Sequence, residues 1–472
     1  MTKEKIKKIF IIIFACFVAF TTIFYFLVGE QLQYKTSDKG VKMQVADAVS
    51  NELTEGIVYE QRFINRLDEI DTLAIVGNVY QKESAGILTI ELIDEDRALV
   101  HQEINIADVR DQHRIFLNIN EPIYGLKDQT LKIRIYSDSK QGEGIALMSV
   151  TNTENGILTI NGETVNGNIC FESTGKSAIT FGSYYWPIMS TICLALGLLF
   201  IYSYICFTKG KNNYLVVFVL AVDKYLFLIS QLVIRDFKTK YKRSIFGVFW
   251  SFLNPLLTMT VQFLVFSTIF TADTKNYPVY LLCGVVCFSF FSECTSMCLT
   301  SISGNDRLLT KVYIPKYIFP LSRTISSMVN LLISLVPLFL VCLIMRIDLH
   351  PQALLIFFFL GCLVLFSLGV GMFLSALMVF FRDIQFLWTV LIQIWMYATP
   401  IFYPAEIIPD KYKFIVQMNP LYHFVGNARK CILEGISPEP RAYLYCLLFA
   451  AGSLLIGSFV FKKTQDKFAL YL

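Results

Sequence analysis

A long stretch without any charged side chain places the tightest limit on the fold of this chain. Residues 244–272 lie between Arg243 and Asp273 and contain no Asp, Glu, Lys or Arg. A helix of about 20 apolar residues is long enough to cross the hydrocarbon core of a bilayer. The stretch therefore predicts a membrane-spanning helix, and the chain is predicted to be a membrane protein.

A basic amphipathic segment comes directly before this span. Lys224, Gln231, Arg235, Lys238 and Lys242 recur at spacings of seven, four, three and four residues, which places them on one stripe of a helix. A helix of this kind lies in the headgroup layer on the cytoplasmic side. A positive-inside topology anchor explains the same charges, so charge alone leaves a mechanistic role open.

Composition agrees with a membrane protein and argues against nucleic acid as a partner. The chain is 55% hydrophobic and 15% aromatic, and its net charge is only +4. The basic residues cluster locally instead of spreading over a nucleic-acid-binding surface. The twelve cysteines lie mostly in or beside apolar segments and predict no paired disulfide framework.

Eight apolar runs predict two spans followed by six. Residues 9–28 fit a retained anchor better than a cleaved signal peptide, because they are long for a signal sequence and no small-x-small site follows. Residues 187–207 follow an aromatic belt and precede Lys209, so they return the chain to the cytoplasm. The six further runs are residues 244–271, 279–301, 317–345, 352–381, 386–402 and 443–461. Basic inner flanks put both termini in the cytoplasm.

The segment between the first two spans has the alternation of β-strands. Leu88, Ile90 and Leu92 alternate with polar residues, as do the apolar residues of 115–119 and 131–135. Turn sequences such as Glu154-Asn155-Gly156 and Asn161-Gly162 separate the later strands. The pattern predicts a β-sandwich of jelly-roll type outside the membrane.

The chain therefore divides into five parts. They are an N-terminal membrane anchor (1–28), an extracellular β-sandwich (29–183), a second transmembrane helix (184–207), a cytoplasmic linker with the amphipathic helix (208–243) and a six-span core (244–472). Within the core, residues 403–441 contain Pro404, Pro409, Pro420 and Gly435 and predict short re-entrant or interfacial helices. The predicted fold class is an α-helical polytopic membrane protein with an all-β domain.

Two charges lie within the predicted spans. Glu293 and Arg323 occupy similar depths in the second and third core spans. A lone charge at mid-membrane costs roughly 2.5–3.5 kcal/mol on insertion scales, so we expect the two residues to pair with each other. Whether the pair is structural or belongs to a transport pathway stays open.

Four cysteines share one face of the second core span. Cys283, Cys287, Cys294 and Cys298 have helical spacing, but no histidine lies nearby to complete a ligand set. Thiols in an apolar helix pack as small hydrophobes, so we predict packing and no metal site.

Four sequence blocks occur in order along the predicted core. They are 235–247 with Trp250 and 254–256; Asn305, 308–313 and Pro315 with Pro320; 381–384; and 399–404 with 419–421. These blocks resemble the ABC-2 type permeases that export O-antigen, teichoic acid and related polysaccharides. The resemblance covers about residues 225–472.

The resemblance implies a transport permease and not an enzyme. It implies a homodimer of this chain with two copies of a separate ABC ATPase, and this assembly would export a lipid-linked glycan. The β-sandwich would then bind the emerging glycan or a wall component, or it would serve to dimerise. ATP and Mg²⁺ would bind the ATPase, and this chain would hold no cofactor. In agreement, Gly175-Lys176-Ser177 lacks the glycine that a phosphate loop needs, since Cys170 occupies that position.

The sequence blocks and their resemblance predict three groups of functional residues. The predicted ATPase-coupling residues are Arg235, Asp236, Lys238, Tyr241, Asn305, Asp306, Arg307, Leu308, Leu309 and Lys311. Aromatic rings and polar groups suited to sugars predict a translocation path of Phe249, Trp250, Asn254, Gln393, Trp395, Tyr397 and Thr399. The predicted outer gate comprises Phe402, Tyr403, Pro404, Asn419, Pro420, Tyr422 and His423.

The aromatic residues also have a simpler explanation, because such rings often face lipid or form interface belts. Two other functions stay open. The same fold could serve a small lipid or a drug, and the chain could be a membrane-anchored glycan-binding assembly factor. A neighbouring ATPase gene would favour transport.

Overall fold

The computed structural model describes residues 3–471 except 45, 80–84, 96, 110–112, 152–155, 211–212, 243–244, 271–275 and 306–313. Two compact units make up the chain. Glu30–Tyr185 is called the β unit, and Met1–Gly29 with Trp186–Leu472 is called the helical unit.

The β unit consists of two antiparallel sheets. Its strands are β1 (Tyr34–Val41), β2 (Ala48–Leu53), β3 (Val58–Ile64), β4 (Glu69–Asn78), β5 (Ile87–Asp94), β6 (Arg97–Asn105), β7 (His113–Tyr124), β8 (Thr130–Ser137), β9 (Ile145–Val150), β10 (Ile157–Ile160), β11 (Glu163–Val165), β12 (Asn168–Ile169) and β13 (Phe171–Ala178). One sheet has the order β1-β13-β4-β9-β12, with β2 beside β9 and β7 beside β4. The other has the order β11-β10-β3-β8-β5-β6.

Alternating apolar side chains fill the space between the two sheets. Leu88, Ile90 and Leu92 of β5 are buried in one cluster with Leu73 and Phe171 of the opposite sheet. The predicted β-sandwich is thus confirmed, because alternate apolar side chains of strands such as β5 and β8 are buried between two antiparallel sheets.

A predicted turn is also found. Asn161 and Gly162 both have positive φ (49° and 88°) and join β10 to β11, as an Asn-Gly hairpin turn requires. The other turn that we predicted, at Glu154-Asn155-Gly156, lies largely outside the described residues.

The helical unit contains eleven helices of eight or more residues among the described residues. They are α1 (Lys3–Val28), α2 (Tyr185–Thr208), α3 (Tyr214–Tyr241), α4 (Phe249–Phe270), α5 (Tyr277–Leu299), α6 (Ile318–Ile344), α7 (Ile356–Phe380), α8 (Ile384–Ala398), α9 (Asp410–Gln417), α10 (Pro420–Arg429) and α11 (Pro440–Thr464). Single turns connect several of them, including Ser303–Asn305 and Lys430–Glu434.

Eight of the described helices are long and apolar enough to cross a membrane. The predicted number is confirmed, but two assignments differ. The predicted span 386–402 is only the 15-residue helix α8, because Pro400 disfavours helical backbone at Thr399. The predicted interface helix is the second half of α3, which begins ten residues before Lys224.

A helix cap explains why α3 begins earlier than the predicted interface helix. The side chain of Asn213 accepts a hydrogen bond from the backbone N–H of Val216 (3.0 Å) and so caps a new helix N-terminus. The apolar residues that follow join the amphipathic segment without a break, which makes α3 a candidate span by length and composition.

The two N-terminal helices pack on each other and on the core helices. Phe10 of α1 stacks on Phe200 of α2, with ring centroids 5.1 Å apart, and shares a buried cluster with Val216 of α3. Nearer the other end of α1, the ring of Phe24 meets that of Tyr443 in α11 at 5.0 Å. The N-terminal pair is therefore an integral part of the helical unit.

Candidate functional site

The C-terminal half of α3 joins the core helices through polar contacts. The guanidinium of Arg235 donates to the side-chain oxygen of Asn305 (3.0 Å), and the amide of Asn305 donates to the carbonyl of Ser301 (2.8 Å). Two predicted coupling residues, Arg235 and Asn305, are thus in contact. The other loop residues of that prediction lie outside the described residues: Asp306, Arg307, Leu308, Leu309 and Lys311.

The predicted pairing of Glu293 with Arg323 is wrong. Arg323 instead forms an ion pair with Asp236 of α3 (3.0 Å). Glu293 accepts from Lys240 of α3 (2.7 Å) and from the amide of Asn330 (2.6 Å). The reason is that α3 packs against the core and brings a carboxylate to the arginine and an ammonium group to the glutamate.

Further polar groups extend this network. The hydroxyl of Tyr241 contacts the hydroxyl of Ser251 in α4 and donates to Asn330 of α6 (3.1 Å). Lys240 and the polar residues of α6 were not predicted from the sequence. A signal for the latter was present, since polar side chains recur every four residues along that apolar helix, at Ser322, Ser326, Asn330 and Ser334.

A basic groove of about 740 Å³ follows the same half of α3. Three predicted coupling residues, Arg235, Lys238 and Tyr241, line it, whereas Asp236 is turned into the helix bundle. The remaining lining residues are Gln231, Ile234, Phe237, Thr239, Lys242 and Val248. A surface with these cations suits an acidic protein partner or an anionic headgroup.

The predicted translocation path divides into two sets. Phe249, Trp250 and Asn254 of α4 are exposed, as are Gln393 and Tyr397 of α8. The described residues of this chain leave these side chains uncovered, so they are available to lipid, to a substrate or to a second subunit.

Trp395 and Thr399, also predicted for the path, are held in the packing at the end of α8. The indole N–H of Trp395 donates to Asn419 (2.8 Å), and the amide of Asn419 donates to the hydroxyl of Thr399 (2.8 Å). The ring of Trp395 packs on Phe291 of α5, with centroids 5.1 Å apart. These contacts link the end of α8 to the start of α10, and Thr399 also lines a neighbouring cavity. The place of both residues in the translocation path stays a prediction.

The predicted outer-gate residues form the break between α8 and α10. Phe402 is buried, and its carbonyl accepts from the hydroxyl of Tyr277 (2.6 Å). The hydroxyl of Tyr403 donates to the carbonyl of Tyr397 (2.9 Å), and Pro404 precedes a short turn. Asn419 caps α10, with Pro420 at the first helical position, as the sequence Asn-Pro favours.

A cavity of about 720 Å³ lies beside these residues, between α10 and α11. Its lining combines aromatic rings, carboxylates and cations, which is the mixture that binds sugars through ring stacking and hydrogen bonds. Tyr422 and His423 of the predicted gate are part of it. The other aromatic and charged lining residues are Tyr280, Tyr445, Phe449, Arg429, Lys430, Glu434, Glu439 and Arg441.

Arg429 organises the wall of this cavity. It is buried, and its guanidinium donates to the carbonyls of Tyr280 (3.0 Å), Pro400 (2.6 Å) and Ile401 (2.8 Å). It also stacks over the ring of Tyr280, 3.5 Å from the centroid. Arg429 was not predicted, because nothing in the sequence distinguishes it from the other cations of residues 403–441.

The four cysteines of α5 are all buried. The thiol of Cys294 donates to the hydroxyl of Thr324 (3.5 Å), and Cys298 contacts the same hydroxyl (3.4 Å). Among the described residues, no group of three or more His, Cys, Asp and Glu is arranged to hold a metal ion.

A row of charges crosses the outer face of the second sheet in the β unit. Arg134 bridges Glu60 (2.9 Å) and Glu91 (3.5 Å), and His101 lies 3.1 Å from Glu91. Hydrogen bonds to Glu91 and then to Glu103 raise the pKa of His101. A depression of about 340 Å³ beside the row is lined in part by the ring of Tyr136.

Comparison with known proteins defines the class to which these features belong. Residues 228–433 match the ABC-2 type transporter family. The chain is 29% identical to the O-antigen export system permease protein RfbA of Klebsiella pneumoniae over 251 residues, covering 52% of this chain and 95% of that protein. It is 29% identical to RfbA of Myxococcus xanthus over 250 residues, with the same two coverages.

A further relative comes from another export system. The chain is 23% identical to the polysialic acid transport protein KpsM of Escherichia coli over 248 residues, covering 50% of this chain and 93% of that protein. This protein is thus a multi-pass membrane protein with an ABC-2 type transporter domain. Over its transporter domain, the chain is similar to permeases of O-antigen and polysialic acid export systems.

Proposed function

We propose that this chain is the permease subunit of an ATP-driven exporter that moves a lipid-linked polysaccharide, such as an O-antigen or a teichoic acid, across the cytoplasmic membrane. The observation that carries the proposal is the match over 95% of the length of O-antigen export permeases. The aromatic and charged cavity between α10 and α11 supports it, because sugar rings stack on aromatic side chains while their hydroxyls need polar partners.

ATP is hydrolysed on a separate ATPase, present in two copies for a dimer of this chain. The basic groove along α3 supports such a partner, because it offers exposed cations at the C-terminal end of an otherwise apolar helix. The loop with Leu308 and Leu309 is the second proposed contact, in keeping with its paired leucines and with the resemblance of its sequence to the loop after the second core span of the family.

The substrate path runs along the exposed faces of α4 and α8. Phe249, Trp250 and Asn254 on the one helix and Gln393 and Tyr397 on the other remain uncovered by the chain's own described residues. A second copy of the chain would enclose this surface and create a channel with rings for stacking and amides for hydrogen bonds.

The β unit acts outside the membrane, and both termini lie in the cytoplasm. The positive-inside flanks of α1 and α2 support this topology. We assign to the β unit the binding of the emerging glycan, supported by the charged row with Arg134 and the neighbouring depression. Sugar-binding surfaces use this combination of charged hydrogen-bond partners and an aromatic ring.

Deletion of the gene tests the proposed function. Cells without the chain should accumulate the completed lipid-linked glycan inside and lose it from their surface, and a plasmid copy should restore it. Unchanged surface glycan in the deletion strain would exclude the export function. Loss of surface glycan without internal accumulation would favour the assembly role over transport.

A further inference from the structure

The C-terminal half of α3 carries two opposite charges, one helical turn apart, that contact the core helices. Asp236 pairs with Arg323 of α6 at 3.0 Å, and Lys240 pairs with Glu293 of α5 at 2.7 Å. Residues four apart lie on the same face of a helix. One face of α3 is therefore fastened to two different core helices.

The aspartate contact is shielded from water. The side chain of Asp236 is only 4% exposed, and its second oxygen accepts from the hydroxyl of Ser326 (3.3 Å). Removing one member of a buried pair leaves the other charge without compensation, whereas removing both need not. Arg235, on α3 itself, also contacts this carboxylate (3.3 Å), so it is the contact with Arg323 that links Asp236 to α6.

The glutamate contact ties the same helices together a second time. Glu293 of α5 accepts from both Lys240 of α3 and Asn330 of α6. Asn330 also accepts from Tyr241, the last residue of α3. A displacement of α3 relative to α5 and α6 would break several of these contacts at once, so the three helices are held as one body at this level.

We propose that Asp236 and Lys240 are positioning residues, which make α5 and α6 follow α3 when the ATPase acts on the permease. This inference rests on the proposed function. Asp236 faces the helix bundle, while Arg235 and Lys238 line the basic groove along α3. A force that the ATPase applies at this groove therefore reaches the core helices through the two ion pairs. The residues act on the core helices and need not touch ATPase or glycan.

The test uses the full chain in a strain that lacks the gene, with surface glycan measured per membrane-inserted permease. Asp236→Asn leaves Arg323 without its carboxylate and should lower export at least about tenfold. Arg323→Gln should lower export less, because Arg235 still neutralises Asp236. The double variant should recover to within about threefold of wild type, because Arg323 is no longer left without its partner. Asp223→Asn is the matched control. It makes the same change on the same helix but removes the exposed pair with Lys5 (2.6 Å), and export should stay within about twofold.

A second readout separates positioning from a simple folding defect. In purified permease–ATPase complexes, the single variants should keep the KM for ATP but hydrolyse more ATP per glycan exported, because the nucleotide site is intact and the linkage is not. Arg323→Lys, which keeps the charge, should recover part of the coupling.

Two results would overturn the inference. One is wild-type export and coupling in both single variants. The other is a double variant no better than the worse single one, including the case in which neither inserts. Failure of the wild-type plasmid to restore export would instead refute the proposed function. Surface glycan in the strain with the wild-type plasmid is therefore measured before any variant is compared.

Discussion

Arg429 is a buried cation whose hydrogen-bonding partners are backbone carbonyls. Its guanidinium donates to three of them, at the end of α8 and in α5, and stacks on Tyr280. The planar arrangement of guanidinium donors permits all of these contacts at once, which a lysine ammonium group cannot reproduce. Arg429 therefore fixes the backbone on one side of the cavity between α10 and α11.

Arg429→Lys should destabilise the purified chain by about 2–4 kcal/mol, because some of the carbonyls lose their donors while a charge stays buried. The measurement is thermal unfolding in detergent or nanodiscs. Arg441→Lys makes the same change at an exposed position of the same cavity and should have little effect. Equal melting temperatures for the two variants would contradict this role of Arg429.

His101 makes the stability of the β unit depend on pH. Its pKa is raised above 6.5 in the folded state by hydrogen bonds to Glu91 and Glu103. A pKa that is higher in the folded state means that protonation of His101 stabilises the fold. This contribution is complete when the pH is below the pKa of the unfolded state, and it is lost as the pH rises through the pKa of the folded state. We expect the denaturant midpoint of the isolated β unit to fall as pH rises above 6.5, and to fall less in His101→Gln. Identical pH profiles for the two proteins would contradict this account.

Helix α1 contacts the core helices near both of its ends. Lys5 pairs with Asp223 of α3 at one end, and Phe24 meets Phe358 and Tyr443 near the other. Lipid tails supply no hydrophobic drive between helices, so such packing depends on close ring and side-chain contacts.

Phe24→Ala should therefore lower the stability of the purified full chain by about 1–3 kcal/mol, since it removes two aromatic pairs with the core that are worth about 0.5–1.5 kcal/mol each. Phe26→Ala is the control, because Phe26 lies on the same helix but is 73% exposed. Thermal unfolding of both variants in the same detergent measures the difference. If Phe26→Ala were as destabilising as Phe24→Ala, docking of α1 on the core would not be the source of stability.

The elements also show which parts of the fold were predictable. Alternation such as Leu88-Ile90-Leu92 predicts strands because one face of a sheet is buried, and long uncharged runs predict spans because a bilayer excludes charge. The length of α3 was not predicted, although the apolar residues 214–222 before Lys224 were a signal for it. The cap at Asn213 sets where the helix begins. The partners of Glu293 and Arg323 could not be predicted either, because a third helix supplies both counter-charges.

At the scale of the whole molecule, the chain joins a transporter domain to a β-sandwich that the family match at residues 228–433 does not include. The β unit has its own buried core between two sheets, so we expect residues 30–185 to fold alone. Calorimetric titration of this fragment with glycan from the parent cells should show binding that Arg134→Ala weakens. No binding, together with a stable dimer of the fragment, would support the dimerisation role instead.

The central claim is that this chain moves a lipid-linked glycan across the membrane at the expense of ATP. Its most direct test uses inverted membrane vesicles loaded on the outer leaflet with labelled lipid-linked glycan from the same cells, in the presence of the partner ATPase. ATP should render the label resistant to added glycosidase, because export in this orientation carries the glycan into the lumen. Vesicles without the chain should leave the label accessible. Equal protection with and without the chain would contradict the claim.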